Sequence, residues 1–167
     1  KKDDQEKIME YINLEWKADH ILANNKEFFS YQYGNYENLN FVLTKTNDDQ
    51  IIGMLGFIKA SSKINADIWT TMWKVSKKSG NPVLGVQMLE FLRNQGYRTV
   101  MSSGIDNKTI GIYKYLGFVT GNLKQYFLLN ENLDHFNIPV IPNHLKKKNT
   151  LLPKNSRYIL KKITSEQ

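Results

Sequence analysis

Between residues 75 and 90 the sequence reads VSKKSGNPVLGVQMLE, an apolar strand end, a glycine-bearing turn and the start of an amphipathic helix. Such a helix start offers unpaired backbone N–H groups and the positive end of the helix dipole, the chemistry that holds phosphate. Lys77 and Lys78 add positive charge beside it, Ser79 adds a hydroxyl, and Gly80 and Gly85 allow close approach to the backbone. The same residues also suit a plain strand-to-helix joint. Asn81 is a good N-cap and Pro82 is favoured at the first helical position. The Asn81 side chain would then occupy an amide that a phosphate would want, and Pro82 has no amide to give. Neither G-x-x-x-x-G-K-[ST] nor G-x-G-x-x-G occurs, which disfavours P-loop and Rossmann nucleotide binding. Taken alone, the stretch leaves both readings open.

Other chemistry is sparse. The chain has no cysteine, so disulfides, thiolate nucleophiles and thiolate-held zinc are excluded, and a reducing cytoplasm fits. Its three histidines, His20, His135 and His144, are too scattered to suggest a metal cluster, and no metal site is expected. His20 has the intrinsic pKa for proton transfer near neutrality, although a lone histidine is more commonly structural. Trp69 and Trp73, four apart on a strand, should share a face and either line a pocket or fill the core. The formal net charge of +7 favours anionic partners. Much of it lies late, in HLKKKN (144–149) and RYILKK (157–162), and reads as a solvated segment. Nucleic-acid binding is disfavoured because no recognition motif accompanies the charge.

The elements that must position these residues follow from periodicity. At 167 residues, 41% of them hydrophobic and 23% charged, the chain suits one well-cored domain. No apolar run approaches the ~18 residues of a membrane span, and acidic residues near the start argue against a signal peptide. Asp3 and Glu6 resemble a capping box, and Ile8, Tyr11, Ile12 and Trp16 fall on one face of a helix over 4–17. A short helix is expected over 24–32. Strands over 39–46 and 50–60 flank the turn NDD (47–49) as a hairpin, the second apolar enough to be covered on both faces. A strand over 66–76 precedes a helix whose Leu84, Met88, Phe91 and Leu92 face one way and which ends near 95. A strand over 97–103, a helix over 107–116 stopped by Gly117, and a strand over 123–130 complete the pattern. The order predicts an α/β (α+β) sheet with helices on both faces. Residues 131–167 hold three of the four prolines and read as a basic linker or extension, with one further strand over 156–163.

With the elements in this order, the residues resemble the GNAT (Gcn5-related N-acetyltransferase) family. IYKYLGF (112–118) matches the family's Y-x-x-x-G-[F/Y] element at Tyr113, Gly117 and Phe118, and IIGMLGF (51–57) is similar to its central hairpin strand. The resemblance covers about residues 3–130 and implies a mixed, mostly antiparallel central sheet. The loop departs from the family's [R/Q]-x-x-G-x-[G/A]: with Gly85 on the last position, Val83 stands on the middle glycine and Gly80 on Arg/Gln. The family's first strand has no counterpart before the helix. EWKADHILANNKEFFSYQYGN (15–35) and NADIWTTMWKVSK (65–77) are similar to a bacterial subgroup associated with surface-polysaccharide and amino-sugar biosynthesis.

The resemblance implies an acetyl-CoA-dependent N-acetyltransferase acting in the cytoplasm on a small-molecule amine, such as an amino sugar or nucleotide-linked amino sugar. A homodimer is compatible with it. Tyr113 is implied as the acid that protonates the departing thiolate, with a core aromatic as its plainer role. Backbone groups of Met72, Trp73, Lys74 and Val75 would pair with the pantetheine amides, and Ser79, Gly80, Asn81, Val83, Gly85 and Val86 would surround the pyrophosphate. Asn107 resembles the asparagine that touches the pantetheine arm, although Asp106 holds the matching spacing and either residue could be a helix cap. The base is left among Asp67, which begins the strand that carries a carboxylate in many relatives, His20, Glu15, or water alone. The alternative is a catalytically degenerate GNAT-fold binding or scaffold module of a larger protein.

Overall fold

The computed structural model describes residues 2–34 and 38–124. The first of the chain's two compact units, Lys1–Thr120, holds every element described here. Helix α1, Lys2–Tyr11, runs on into a π-helical turn, Ile12–Trp16. Together they fill the helix expected over 4–17, with Ile8, Tyr11 and Ile12 buried on one side. Trp16 departs from that stripe: it is 41% exposed, and its ring meets His20 edge-on at 4.9 Å. The helix begins at Lys2, ahead of the start that Asp3 and Glu6 suggest. The single helix expected over 24–32 is two, α2 (Ile21–Asn24) and α3 (Lys26–Tyr33). Asn25 separates them because its extended backbone ends α2 while its Oδ1 accepts the Phe28 N–H at 2.8 Å and starts α3.

The strands are β1 (Phe41–Lys45), β2 (Ile51–Lys59), β3 (Asp67–Val75) and β4 (Thr99–Ser102), in the spatial order β1-β2-β3-β4. The first two pairings are antiparallel and β3–β4 is parallel, the mixed, mostly antiparallel sheet expected. Gly53–Phe57 of β2 are buried throughout, as its apolar run requires. On one face Met54 and Met72 pack with Ile8, Ile12, Phe29 and Tyr33 of the N-terminal helices. On the other, Leu55 and Ile68 pack with α4 (Leu84–Arg93) and with Tyr113 of α5 (Ile110–Tyr115). Leu89 joins Leu84, Met88 and Leu92 inside, while Phe91, at the margin of the stripe, is 57% exposed. Gly117, at φ +79, closes α5 with Phe118 N–H donating to the Tyr113 carbonyl at 2.9 Å, a left-handed cap suited to glycine.

One irregularity organises the sheet. Leu55 pairs with Trp73 but Phe57 with Thr70, so β3 carries an extra residue at Thr71–Met72. A bulge there bends the strand and reverses the alternation of its side chains. Ile68 before the bulge and Trp73 and Val75 after it therefore lie on the same face, and Trp69 and Trp73 lie on opposite ones. The shared face expected for the two tryptophans is thereby corrected, because the alternation rule assumes an unbroken ladder. The bulge is tightly held. A Cβ on Gly56 would stand 2.8 Å from Thr71 Oγ1 and 2.9 Å from the Phe41 ring, and the Tyr33 hydroxyl donates to Thr71 Oγ1 at 2.9 Å.

All but the first two residues of the strand expected over 123–130 lie outside the described residues. So do the strand expected over 156–163 and the basic extension 131–167.

Candidate active site

Strand β4 pairs with β3 from Asp67 to Thr70 and ends at Ser102, opposite Thr70. Beyond that rung, Thr71–Val75 have no strand on that side among the described residues. The direction of their backbone groups follows from one bond: Ser76 N–H donates to the Ile52 carbonyl of β2 at 2.9 Å. Alternation along a strand then turns Lys74 toward β2, opposite Met54, and turns Trp73 and Val75 toward the open edge. Of the backbone groups expected to hold an extended ligand, those of Trp73 and Val75 are free to do so. Those of Lys74 are already in the ladder.

The open edge leads into the loop. Ser76 is 3% exposed; its Oγ accepts the Lys78 N–H at 3.2 Å and starts a 3-10 turn, Lys77–Ser79. The same hydroxyl donates to Glu15 Oε1 at 3.2 Å, tying the loop to the end of the π-helical turn. Beside it the Tyr11 hydroxyl donates to the Ile52 carbonyl at 3.2 Å. Burial, with help from the Glu15 charge, pushes the Tyr11 phenol up to about 12, so it stays a donor. Gly80 follows with a left-handed backbone, φ +64.

Helix α4 begins at Leu84, two residues later than Asn81 and Pro82 suggest. Asn81 still organises the start: its Oδ1 accepts the Val83 N–H at 3.0 Å and its Nδ2 donates to Gln87 Oε1 at 3.1 Å. The Val83 amide is thus taken by Asn81. Those of Gly85 and Val86 meet no acceptor among the described residues. Gly85 has a packing reason as well. A Cβ there would lie 3.1 Å from Trp73 Nε1, so the glycine lets the helix start close against the indole.

Tyr113 is 5% exposed, and its ring meets that of Trp73 edge-on at 5.8 Å and that of Phe118 at 5.2 Å. It is therefore a core aromatic, packed against the Trp73 indole.

The remaining candidates lie elsewhere or are otherwise engaged. Asp67 sits at the closed end of β3, roughly 20 Å from Trp73 at about 3.3 Å per strand residue. Arg98 grips both its oxygens, Nε at 2.8 Å from Oδ1, and Thr99 Oγ1 donates to Oδ1 at 2.7 Å. These bonds hold its carboxyl down at about 2, which makes it a poor proton acceptor. His20 caps α2, its Nδ1 accepting the Leu22 N–H at 3.2 Å. That bond fits the plainer structural role. Asp106, not Asn107, caps the turn before α5: its Oδ1 accepts the Lys108 N–H at 2.8 Å, and Asn107 is exposed. Glu15 alone among the carboxylate candidates touches the loop.

Sequence reasoning did not single out Ser76, although a serine two residues before the amide it caps is a readable signal. It did not find the Thr71–Met72 bulge either, and no residue pattern announces one.

Comparison with known proteins bears on the fold. No protein-family model matches the sequence, and no curated protein does. Solved structures do match. AAC(6')-Iy, in complex with the bisubstrate analogue CoA-S-monomethyl-acetylneamine, superposes with a TM-score of 0.56 at 14% identity over 77% of this chain and 93% of its own. A Pyrococcus horikoshii protein provisionally named an acetyltransferase gives 0.53 at 19% identity over 70% of this chain and 40% of its own. A Deinococcus radiodurans R1 protein, also provisionally named an acetyltransferase, gives 0.43 at 24% identity; the match spans 52% of this chain and 59% of that one. The chain has an acetyltransferase fold. It is the fold of the Gcn5-related N-acetyltransferases, as the order of elements suggests.

Proposed function

We propose that the protein is an acetyl-CoA-dependent N-acyltransferase acting on the primary amine of a small molecule, an amino sugar or nucleotide-linked amino sugar. One observation carries this: beside the open edge at Trp73 and Val75, the Trp73 indole packs against Gly85 at the start of α4, where the amides of Gly85 and Val86 meet no acceptor among the described residues. An extended chain of amides can pair with the first as an added strand, and a pyrophosphate can sit at the second. Exposed Lys77 and Lys78 supply charge for it. The CoA-based analogue bound to the similarly folded AAC(6')-Iy supports the donor, and its acetylneamine part supports an amino-sugar acceptor.

In the reaction the amine nitrogen attacks the thioester carbon, forming the C–N bond as the carbonyl π pair moves to oxygen. Collapse breaks the C–S bond, and the sulfur leaves as thiolate. Tyr113, whose ring packs against Trp73, would give that sulfur a proton, and the ammonium proton leaves to solvent or a base. Among the described carboxylates, the pairing of Asp67 with Arg98 and its distance weigh against it as the base. Water-mediated removal is the simplest course.

The test is acetyl-CoA binding followed by catalysis. Acetyl-CoA at 100-fold over its Kd should stabilise the fold by about 2.7 kcal/mol, read as a higher melting temperature. Free CoA should then appear with one of a panel of amino sugars, nucleotide-linked amino sugars and polyamines. No thermal shift at millimolar acetyl-CoA would overturn the assignment in favour of a scaffold module.

A further inference from the structure

The π-helical turn Ile12–Trp16 is an uncommon way to end a helix. Lys17 N–H donates to the Ile12 carbonyl at 2.8 Å, five residues back instead of four, so the turn is wider than an α-helical one. In an unbroken α-helix Trp16, four residues after the buried Ile12, would follow it into the core. The wide turn instead leaves Trp16 partly exposed and presents Glu15 to Ser76, whose hydroxyl donates to Glu15 Oε1 at 3.2 Å. That bond decides what else the hydroxyl can do. A serine has one proton and two lone pairs, so with the proton given to Glu15 the oxygen is left to accept the Lys78 N–H at 3.2 Å. The main chain of Ser76 is held from the same helix: its N–H and the Tyr11 hydroxyl both donate to the Ile52 carbonyl, at 2.9 and 3.2 Å. Tyr11 and Glu15 thus fix the point at which β3 turns into the loop, around a serine that is buried.

We propose that Glu15 is a positioning residue for the donor: through the Ser76 hydroxyl it sets the shape of the loop over 76–80, and so makes acetyl-CoA affinity depend on the end of the N-terminal helix. The inference rests on the acyltransferase reading, in which that loop receives the pyrophosphate. Its sign is opposite to what charge alone predicts. A carboxylate near an anion site repels the anion, so on charge alone its removal tightens binding. If its hydrogen bond shapes the loop, its removal weakens binding, because the Ser76 hydroxyl then loses its acceptor and is free to turn away from Lys78.

The experiment measures calorimetric affinity for acetyl-CoA in the full chain, with melting temperatures alongside, and needs no acceptor. Glu15→Ala should lose roughly tenfold. Glu15→Gln keeps an oxygen at the same reach and should stay within about threefold of wild type. Glu15→Asp keeps the charge but falls one methylene short of Ser76, and should lose nearly as much as the alanine variant. These two conservative variants carry the test should the alanine variant not fold. In a Ser76→Ala background Glu15→Ala should cost little more, because the two residues act as one unit. Tighter or unchanged binding in Glu15→Ala, loss in Glu15→Gln with retention in Glu15→Asp, or full additivity with Ser76→Ala would overturn the inference and leave the donor assignment standing. Wild-type protein that binds no acetyl-CoA would overturn the donor assignment, and the inference with it.

Discussion

The two halves of β3 are one strand with opposite surroundings. From Asp67 to Thr70 it is paired on both sides, and its first side chain is locked by Arg98 and Thr99. From Thr71 to Val75 it is paired with β2 alone, and its other edge is open among the described residues. An unpaired strand edge is ordinarily a liability, because each free N–H and C=O invites another chain. Here the edge is short, follows a bulge and leads into a loop built around Ser76. The closed half anchors the sheet, and the open half is where a ligand's amides can replace the missing strand.

The strongest way to break this contrast is to disturb the bulge. Gly56→Ala places a methyl 2.8 Å from Thr71 Oγ1 and 2.9 Å from the Phe41 ring, both close to rigid parts of their residues. Overpacking of this kind costs about 2–3 kcal/mol. The melting temperature should fall by on the order of 10 °C. Acetyl-CoA affinity should fall with it, since Thr71 begins the open half. An unchanged melting temperature would show that close packing at Gly56 does not hold the bulge.

A smaller effect should separate the edge from its loop. In Ser76→Ala the Lys78 amide loses its acceptor and Glu15 loses a donor, both beside a buried position. Loss of a capping hydroxyl costs about 1 kcal/mol. If the loop must be formed to receive the pyrophosphate, acetyl-CoA affinity drops roughly tenfold by calorimetry. The melting temperature without ligand should move by only a few degrees. Equal affinity in the variant would detach Ser76 from the site.

Much of this architecture is legible in the residues. Period-2 and period-3.6 patterns give the hairpin, the order of strands and helices, and the two-sided burial of β2, because each depends on apolar spacing within one element. The loop's weakness is legible too: an asparagine before a proline occupies an amide, and the structure has Asn81 holding Val83. Two features escape such reading. The bulge at Thr71–Met72 arises from the register between strands, which no single strand encodes, so the alternation of Trp69 and Trp73 misleads. The fate of Asp67 depends on Arg98 and Thr99, thirty-one and thirty-two residues away. Its position at a strand start suggests chemistry; only the fold reveals that its oxygens are already engaged.

The closed half offers the mildest and sharpest contrast. Asp67→Asn removes a carboxylate that Arg98 and Thr99 hold at about 2, below its ordinary value of 3.8. A carboxyl whose pKa is lowered by folding adds stability above its unfolded pKa and loses it as pH falls through the folded one. The wild type should therefore exceed the variant slightly in urea midpoint at pH 7, and the gap should close between about pH 4 and pH 2. The gap is small because the Arg98 side chain is 70% exposed, where solvent screens an ion pair. Acetyl-CoA affinity and turnover at pH 7 should be the same in both proteins, since the change lies at the closed end of β3, away from the open edge. A variant that folds with the wild-type midpoint but loses turnover would return Asp67 to the reaction and dissolve the distinction between the two halves.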